Sequence, residues 1–348
     1  MSEKNYDWAV IGAGPAGIAA VGKLLDNRVD PSKLIWIDPE FKVGDFGTKW
    51  LHVPSNTRVS LFMQFLHHVK SFHFLEVAHT FELSTFDMND TCQLKHMAAP
   101  LAWVTKRLRQ QVDSQESMVT ALKQTDRHWH LTVGDECVLA KQVVLATGSE
   151  PRHLAHPGLE VIDLKTAMDT EALKQACQPD DCVAVFGSSH SGVLAIHNLV
   201  ESGVNNIVNF YRSPLRYALH LDGWTLYDNT GLKGTMAAWA RKHMDVSTLP
   251  GLSRFYSNDE TIAAQLPRCN KVIYTIGFDR RQHITLEGYP AMSYDRHTGI
   301  IAPGLFGVGI AFPEAQLTPL GAVAHRVGLW KFMDYLDRVV PIWVGYHV

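Results

Sequence analysis

The sequence predicts an α/β protein in which one unit, a buried strand followed by a glycine-rich turn and a helix, occurs twice. Three observations carry that reading. Residues 7–25 read DWAVIGAGPAGIAAVGKLL, where Trp8 to Ile11 make an apolar run of strand length and Ile18 to Leu25 an alanine-rich amphipathic helix. Between them Gly12, Gly14 and Gly17 fit G-x-G-x-x-G. The next apolar run, KLIWIDPE, ends in an acid, Asp38, and residues 180–214 repeat the arrangement as DDCVAVFGSSHSGVLAIHNLVESGVNNIVNFYRSP.

In the first unit each glycine has a separate task. Gly12 allows the tight turn, Gly14 lets the backbone approach a phosphate, and Gly17 lets the helix pack on the strand. Pro15 and Ala16 open the helix, whose free N–H groups and positive dipole end suit an anion. Asp38 lies 21 residues past Gly17 (38 − 17) and is followed by Pro39. A carboxylate there accepts hydrogen bonds from both ribose hydroxyls and repels a 2′-phosphate. The first unit is therefore expected to hold an ADP moiety, as in FAD or NAD.

The second unit starts from the strand Val183–Phe186 and carries Gly187, Ser189, Ser191 and Gly192, with serine in place of the middle glycine. Its next strand, NIVNFY, ends in Arg212, 25 residues after Gly187 (212 − 187). A guanidinium suits a 2′-phosphate, so NADPH is expected here, with NADH allowed. A solvated surface arginine after a strand is the plain alternative.

Composition narrows the function. The 348 residues are 46% hydrophobic and 19% charged, with 32 Lys plus Arg against 35 Asp plus Glu, a net charge of −3. That balance, without blocks of like charge, points away from nucleic acid and towards a small-molecule ligand. The lead MSEKNYDW has no signal-peptide character, and no apolar run reaches the ~20 residues needed to span a membrane. Five cysteines without C-x-x-C spacing fit reduced thiols in a cytoplasmic protein. No metal site is expected: His67 and His68 are adjacent and so do not share one helix face, and His73 and His79 lack an acidic or cysteine companion. His190, inside the second glycine loop, reads either as a phosphate neighbour or as a water-exposed loop residue.

Further segments add a resemblance. KQVVLATGSEPR (141–152) contains Ala146, Thr147 and Gly148 in an A-T-G-x-x-P pattern. KVIYTIGFDRR (271–281) is its counterpart, and PGLFGVGIAFPEAQLTPLG (303–321) contains Gly309, Thr318 and Gly321. In content and order these resemble the flavoproteins with two dinucleotide-binding domains. The resemblance implies two Rossmann-like domains: an FAD domain of residues 1–155 and 270–348, and an NAD(P)H domain, 156–269, inserted in it. It also implies that a helix N-terminus near Thr318 and Gly321 faces the flavin. Residues 118–148 read as a meander of short strands broken at QTD and GDE, and 61–75 and 93–111 as helices.

Residues 39–60 contain no cysteine, unlike the disulfide-reducing branches. Cys177 and Cys182, ahead of the second loop, read as incidental thiols. VPSNTRVSLFMQFL (53–66) is instead similar to flavin-containing monooxygenases, and Lys49 and Trp50 fall where these and the N-hydroxylating monooxygenases place flavin-proximal residues. By that resemblance Asn56, Trp50 and Lys49 serve catalysis, and O2 reacts through a flavin C4a-hydroperoxide on a small nitrogen- or sulfur-containing substrate. The family's F-x-G-x-x-x-H pattern is missing from 153–181. Two alternatives stay open: an NADPH-dependent reductase for a quinone, small disulfide or protein acceptor, and a nucleotide-binding regulator without turnover. A homodimer is allowed. Residues 218–244 read equally as substrate contacts or as a helix packed on the second domain.

Overall fold

The computed structural model describes residues 5–222, 224–245, 249–289 and 292–346. The first strand, Asn5–Ile11, lies between two parallel neighbours, Leu34–Asp38 and the long strand Glu136–Leu145, with Val10 beside Trp36 and Val144. Its side chains alternate between two cores. Trp8 and Val10 face a layer made by the helices Pro15–Asp26, Val59–His68, Lys95–Arg109 and Leu329–Gly345; Ala9 and Ile11 face Trp129, Leu131 and Phe312. Burial on both faces is why the run is apolar without alternation.

The long strand serves two sheet regions. Glu136–Ala140 pairs antiparallel with the meander strand His128–Val133, while Val143–Leu145 runs parallel to Leu305–Gly307. The meander turns fall at Asp126 and Arg127 (φ 48° and 65°) and at Gly134 (φ 58°), where the sequence breaks at QTD and GDE. Among the described residues this sheet has nine strands.

The chain then leaves along Ser149–Pro151, which pairs antiparallel with the returning segment Phe278–Arg280. Between these two crossings lies a second, wholly parallel sheet. Its order is Glu160–Val161, Lys271–Tyr274, Cys182–Phe186, Asn206–Tyr211 and Leu252–Tyr256. The two sheets make the predicted α/β architecture, one unit inserted in the other. Lys271–Tyr274 pairs within the second sheet, so that sheet continues past position 269. The run KVIY suits either sheet locally, and only its register against Val183–Phe186 assigns it.

Two helices differ from expectation. The helix read over 61–75 ends at His68, because Val69 is extended and the Asp26 carboxylate takes the Lys70 and Ser71 N–H groups at 2.9 and 3.0 Å. Phe72 and Phe74 are buried in the short turns that follow. No helix begins near Thr318. Glu314–Leu317 and Val323–Arg326 form an antiparallel hairpin, and the C-terminal helix starts at Leu329. Among the described residues no helix is long and apolar enough to cross a membrane.

Candidate functional site

Gly12 ends the first strand at φ 107°. Its N–H donates to the Ile37 carbonyl at 2.8 Å, and the Ala146 N–H donates to Ile11 at 2.8 Å. A β-carbon at Gly12 would collide with the Ala146 carbonyl, and one at Gly17 with the Gly12 carbonyl. Trp36 pins the same loop, its Nε1–H donating to the Gly12 carbonyl at 2.9 Å. Gly14 is different: its φ of −73° and ψ of 176° suit any residue, and a β-carbon there would meet nothing within 4 Å. The missing side chain leaves room in front of the helix that starts at Pro15, whose first N–H groups have no partner within the helix.

This loop lines a cleft of about 300 Å³ together with Pro15, Asp38, Pro39, Ala146, Thr147 and Gly148. Ala16 and Gly17 lie behind it, and Gly309 packs on Ala16 so closely that a β-carbon would come within 2.6 Å. Asp38 is buried. One of its oxygens accepts the Ala13 N–H at 2.7 Å, and the other accepts Glu40 and Phe41 at 2.9 and 2.6 Å. It therefore shapes the loop as well as facing the cleft. A carboxylate accepts about four hydrogen bonds, so one lone pair is left for a ribose.

The second loop repeats this framework. Gly187 has φ 111°, its N–H donates to Phe210 at 2.8 Å, and the Thr275 N–H donates to Phe186 at 2.8 Å. A β-carbon at Gly187 would stand 2.5 Å from the Thr275 carbonyl, and one at Gly192 would stand 2.6 Å from the Gly187 carbonyl. Ser189 occupies the middle position at φ −87° and ψ −165°. That backbone is extended, so the serine carries no strain, and the imperfect motif has the same geometry as the perfect one.

Arg212 is exposed and lines a cleft with Gly187, Ser189, Arg152 and Arg216. Arg152 is forked onto Asp279 with a 2.6 Å contact, and Arg216 lies over the Tyr227 ring at 5.3 Å. The sequence reading missed both arginines; the signal was their position just after the strands Ser149–Pro151 and Asn206–Tyr211. No carboxylate lines this cleft among the described residues.

The pyridine nucleotide-disulphide oxidoreductase family model matches residues 6–214, more than half of the chain. This chain belongs to that family. Monooxygenase AgnR1 of Paecilomyces divaricatus is 33% identical over 382 residues, covering 97% of this chain and 97% of the relative. The fold is also that of a flavin-containing monooxygenase from Stenotrophomonas maltophilia (TM-score 0.65, 14% identity, 99% of each chain covered). An ornithine N-hydroxylase of Kutzneria sp. 744 (TM-score 0.67, 14% identity, covering 98% of this chain and 99% of that one) and the thioredoxin reductase of Lactococcus lactis (0.61, 12%, 98% of each) share it. The enzyme is thus an FAD- and NAD(P)-dependent oxidoreductase.

Within this family member the expected catalytic residues separate. Trp50 lines the first cleft and meets Phe278 edge-on at 6.4 Å. Lys49 does not line the cleft; its ammonium is held by Asp45 at 3.2 Å, and Asp45 also takes Arg281 at 2.6 Å. Asn56 is exposed on the strand Pro54–Arg58 and lines two neighbouring cavities, not the first cleft. The local turn bonds belong to Ser55, whose Oγ accepts the Thr57 N–H at 2.7 Å. Thr318 and Gly321 form the hairpin tip, where the Thr318 N–H donates to Ala322 and the Gly321 N–H to Thr318. The lip of the cleft is instead built by Val327, Gly328, Leu329 and Phe332. The legible signal was the helical apolar spacing of LWKFMDYL after a glycine.

Ser191 lines a small cavity with Asn56, His190 and Phe278, and Gly192 packs behind. His190 sits with its Nε2 3.4 Å from the Pro54 carbonyl and with its Nδ1 buried and unpartnered. Burial holds its pKa below the ordinary histidine value, so the ring is neutral. The cysteines regroup as well: Cys182 meets Cys269 at 3.5 Å, while Cys177 stays apart. Burial pushes the Cys269 thiol up, which keeps it from acting as a thiolate. Residues 218–244, Gly223 lying outside the described residues, supply both readings at once. The helix Gly234–Ala240 packs on the second unit, and the segment also lines a chamber of about 580 Å³.

Proposed function

We propose that the enzyme is an NADPH-driven FAD monooxygenase acting on a small molecule with a nitrogen or sulfur nucleophile. The observation that carries this is a junction of three cavities without a cysteine. Phe278 lines both the first cleft and the small cavity beside the second loop. Val327, Gly328 and Leu329 line both the cleft and the larger chamber, and Asn56 lines both neighbours. No cysteine among the described residues lines any of them, which disfavours a dithiol relay. The 33% identical relative bears the name monooxygenase.

In this reading the Gly12–Gly14 backbone and the helix from Pro15 bind the FAD pyrophosphate, and Asp38 and Pro39 border its ribose. Ala146, Thr147, Gly148 and the Gly309 turn close over it. Gly187, Ser189, Ser191, Gly192 and Arg212, joined by Arg216, hold NADPH, with the guanidinium groups on the 2′-phosphate. The insert that carries this site spans Glu160 to Tyr274. Bound FAD supplies two-electron transfer from the nicotinamide to O2, with NADPH, H⁺, O2 and substrate giving NADP⁺, water and oxygenated product. Trp50 and Phe278 wall the junction. The apolar lip of Val327, Leu329 and Phe332 excludes water from it. Asn56 presents its amide to the substrate side.

Anaerobic NADPH should bleach the flavin. Under labelled O2, thioanisole should yield a sulfoxide carrying one labelled oxygen. Bleaching with no labelled product, while an added quinone is reduced, overturns the oxygenase reading.

A further inference from the structure

The chamber lined by parts of 218–222, 225–241, Asn56–Leu61 and Val327–Lys331 gathers four cationic side chains. Arg58, Lys233, Arg241 and Lys331 line it, and Asp228 is the one carboxylate lining it among the described residues. Asp228 is shared: Lys233 Nζ lies 2.5 Å from one of its oxygens and Lys331 Nζ 2.5 Å from the other. Lys331 also donates to the Asn229 amide oxygen. All three groups of this triad are largely withdrawn from water, with side-chain exposures of 20% for Lys233, 21% for Lys331 and 37% for Asp228. Burial and the charges of Lys233 and Arg326 pull Lys331 below its ordinary pKa, with Asp228 opposing them. One carboxylate therefore compensates two half-buried ammonium groups, and a second anion completes the set.

The remaining cations are not spent on carboxylates of the lining. Arg58 Nη2 lies 3.4 Å from His220, and Arg241 lies over the Tyr217 ring at 4.2 Å. Leu61, Leu232 and Trp330 give the chamber apolar wall, so a headless inorganic ion would leave that surface wet.

We propose that this chamber is the substrate site and selects a small organic acid, its carboxylate held between Lys233 and Lys331 and its apolar body directed towards the Val327–Leu329 lip. The assignment rests on the monooxygenase reading for the role of the site, but the anion site itself stands on the lysine pair. Asp228 offsets one of the two ammonium charges and competes with the substrate carboxylate for both of them.

Calorimetric titration of the FAD-loaded enzyme with benzoate, and with its neutral counterpart benzamide, tests this. Benzoate should bind saturably and at least about tenfold more tightly than benzamide, as expected for charge-assisted hydrogen bonds. Lys233→Gln should weaken benzoate by about tenfold or more. Asp228→Asn, which frees both lysines from their internal anion, should tighten it; a merely structural triad would give weakening instead. Retained flavin absorbance shows that a variant is folded, and if Lys233→Gln loses its flavin, Arg58→Gln serves as the second probe, with severalfold weaker benzoate expected. Equal binding of benzoate and benzamide, or weaker benzoate binding in Asp228→Asn, overturns the proposal. Bleaching of the same wild-type preparation by NADPH is measured alongside. Bleaching without benzoate binding defeats the acid site alone, and benzoate binding without bleaching defeats the wider reading alone.

Discussion

The two glycine loops are near copies in backbone and opposites in chemistry. Gly12 leans on Ala146 as Gly187 leans on Thr275, and the four supporting N–H···O bonds all measure 2.8 Å. What differs is the residue after the second strand. Asp38 is buried and folds its carboxylate inward onto three N–H groups, whereas Arg212 stands exposed among further arginines. On the proposed reading the shared framework would seat a pyrophosphate, and the strand-end position would select the ribose.

The largest expected effect comes from Gly12→Ala. A β-carbon there meets both a positive φ and the Ala146 carbonyl, costing about 2–5 kcal/mol. The protein should purify without flavin colour and melt several degrees lower. Gly187→Ala carries the same local strain in the other sheet, so it should stay yellow but bleach slowly with NADPH. Equal loss of flavin in both would break the assignment of one loop to each coenzyme.

Arg212→Ala comes next. Losing a charge-assisted contact of about 1.5–3 kcal/mol should raise the NADPH KM by roughly 10- to 150-fold, with less than about a twofold change for NADH. Matching changes for the two coenzymes would remove Arg212 from the 2′-phosphate.

A smaller effect is acid-linked. Burial chiefly, and the charge of Lys233, hold His190 below the ordinary value near 6.5, against the Pro54 carbonyl. The unfolded chain takes up this proton first, so stability falls as the pH drops below about 6.5 and is fully retained above it. His156 and His283, lowered by burial, act in the same direction. His190→Gln should therefore remove part of the fall in Tm between pH 7.5 and 5.5. An unchanged slope would show that the ring is wet.

The smallest effect is expected of Ser189→Gly. Its backbone is extended, so restoring the motif's glycine relieves nothing, and the NADPH KM should move by less than about threefold. A large gain would mean that the serine obstructs the phosphate.

These loops were legible because their constraints are local. Gly12, Gly14 and Gly17 sit within six residues, and Asp38 and Arg212 end the very next strands. The meander was equally plain, since its turn residues adopt the positive φ that QTD and GDE suggest. Thr318 and Gly321 misled because the segment Glu314–Arg326 folds back on itself as a hairpin, where Arg326 meets the buried Glu314 at 2.8 Å, before the helix begins. Lys49 lies off the cleft, its ammonium 3.2 Å from the Asp45 carboxylate that Arg281 shares.

By itself the sequence determined the two strand–glycine loop–helix units and their order, because steric demands on a glycine and the polarity of a strand end are written in neighbouring residues. Tertiary structure alone decided that Asp45 meets Arg281 across 236 positions, that Cys182 finds Cys269 and not Cys177, and that Asp228 gathers Lys233 and Lys331 around a chamber. Such groups meet only when separate elements pack, and periodicity along the chain carries no record of which distant side chains will share one cavity.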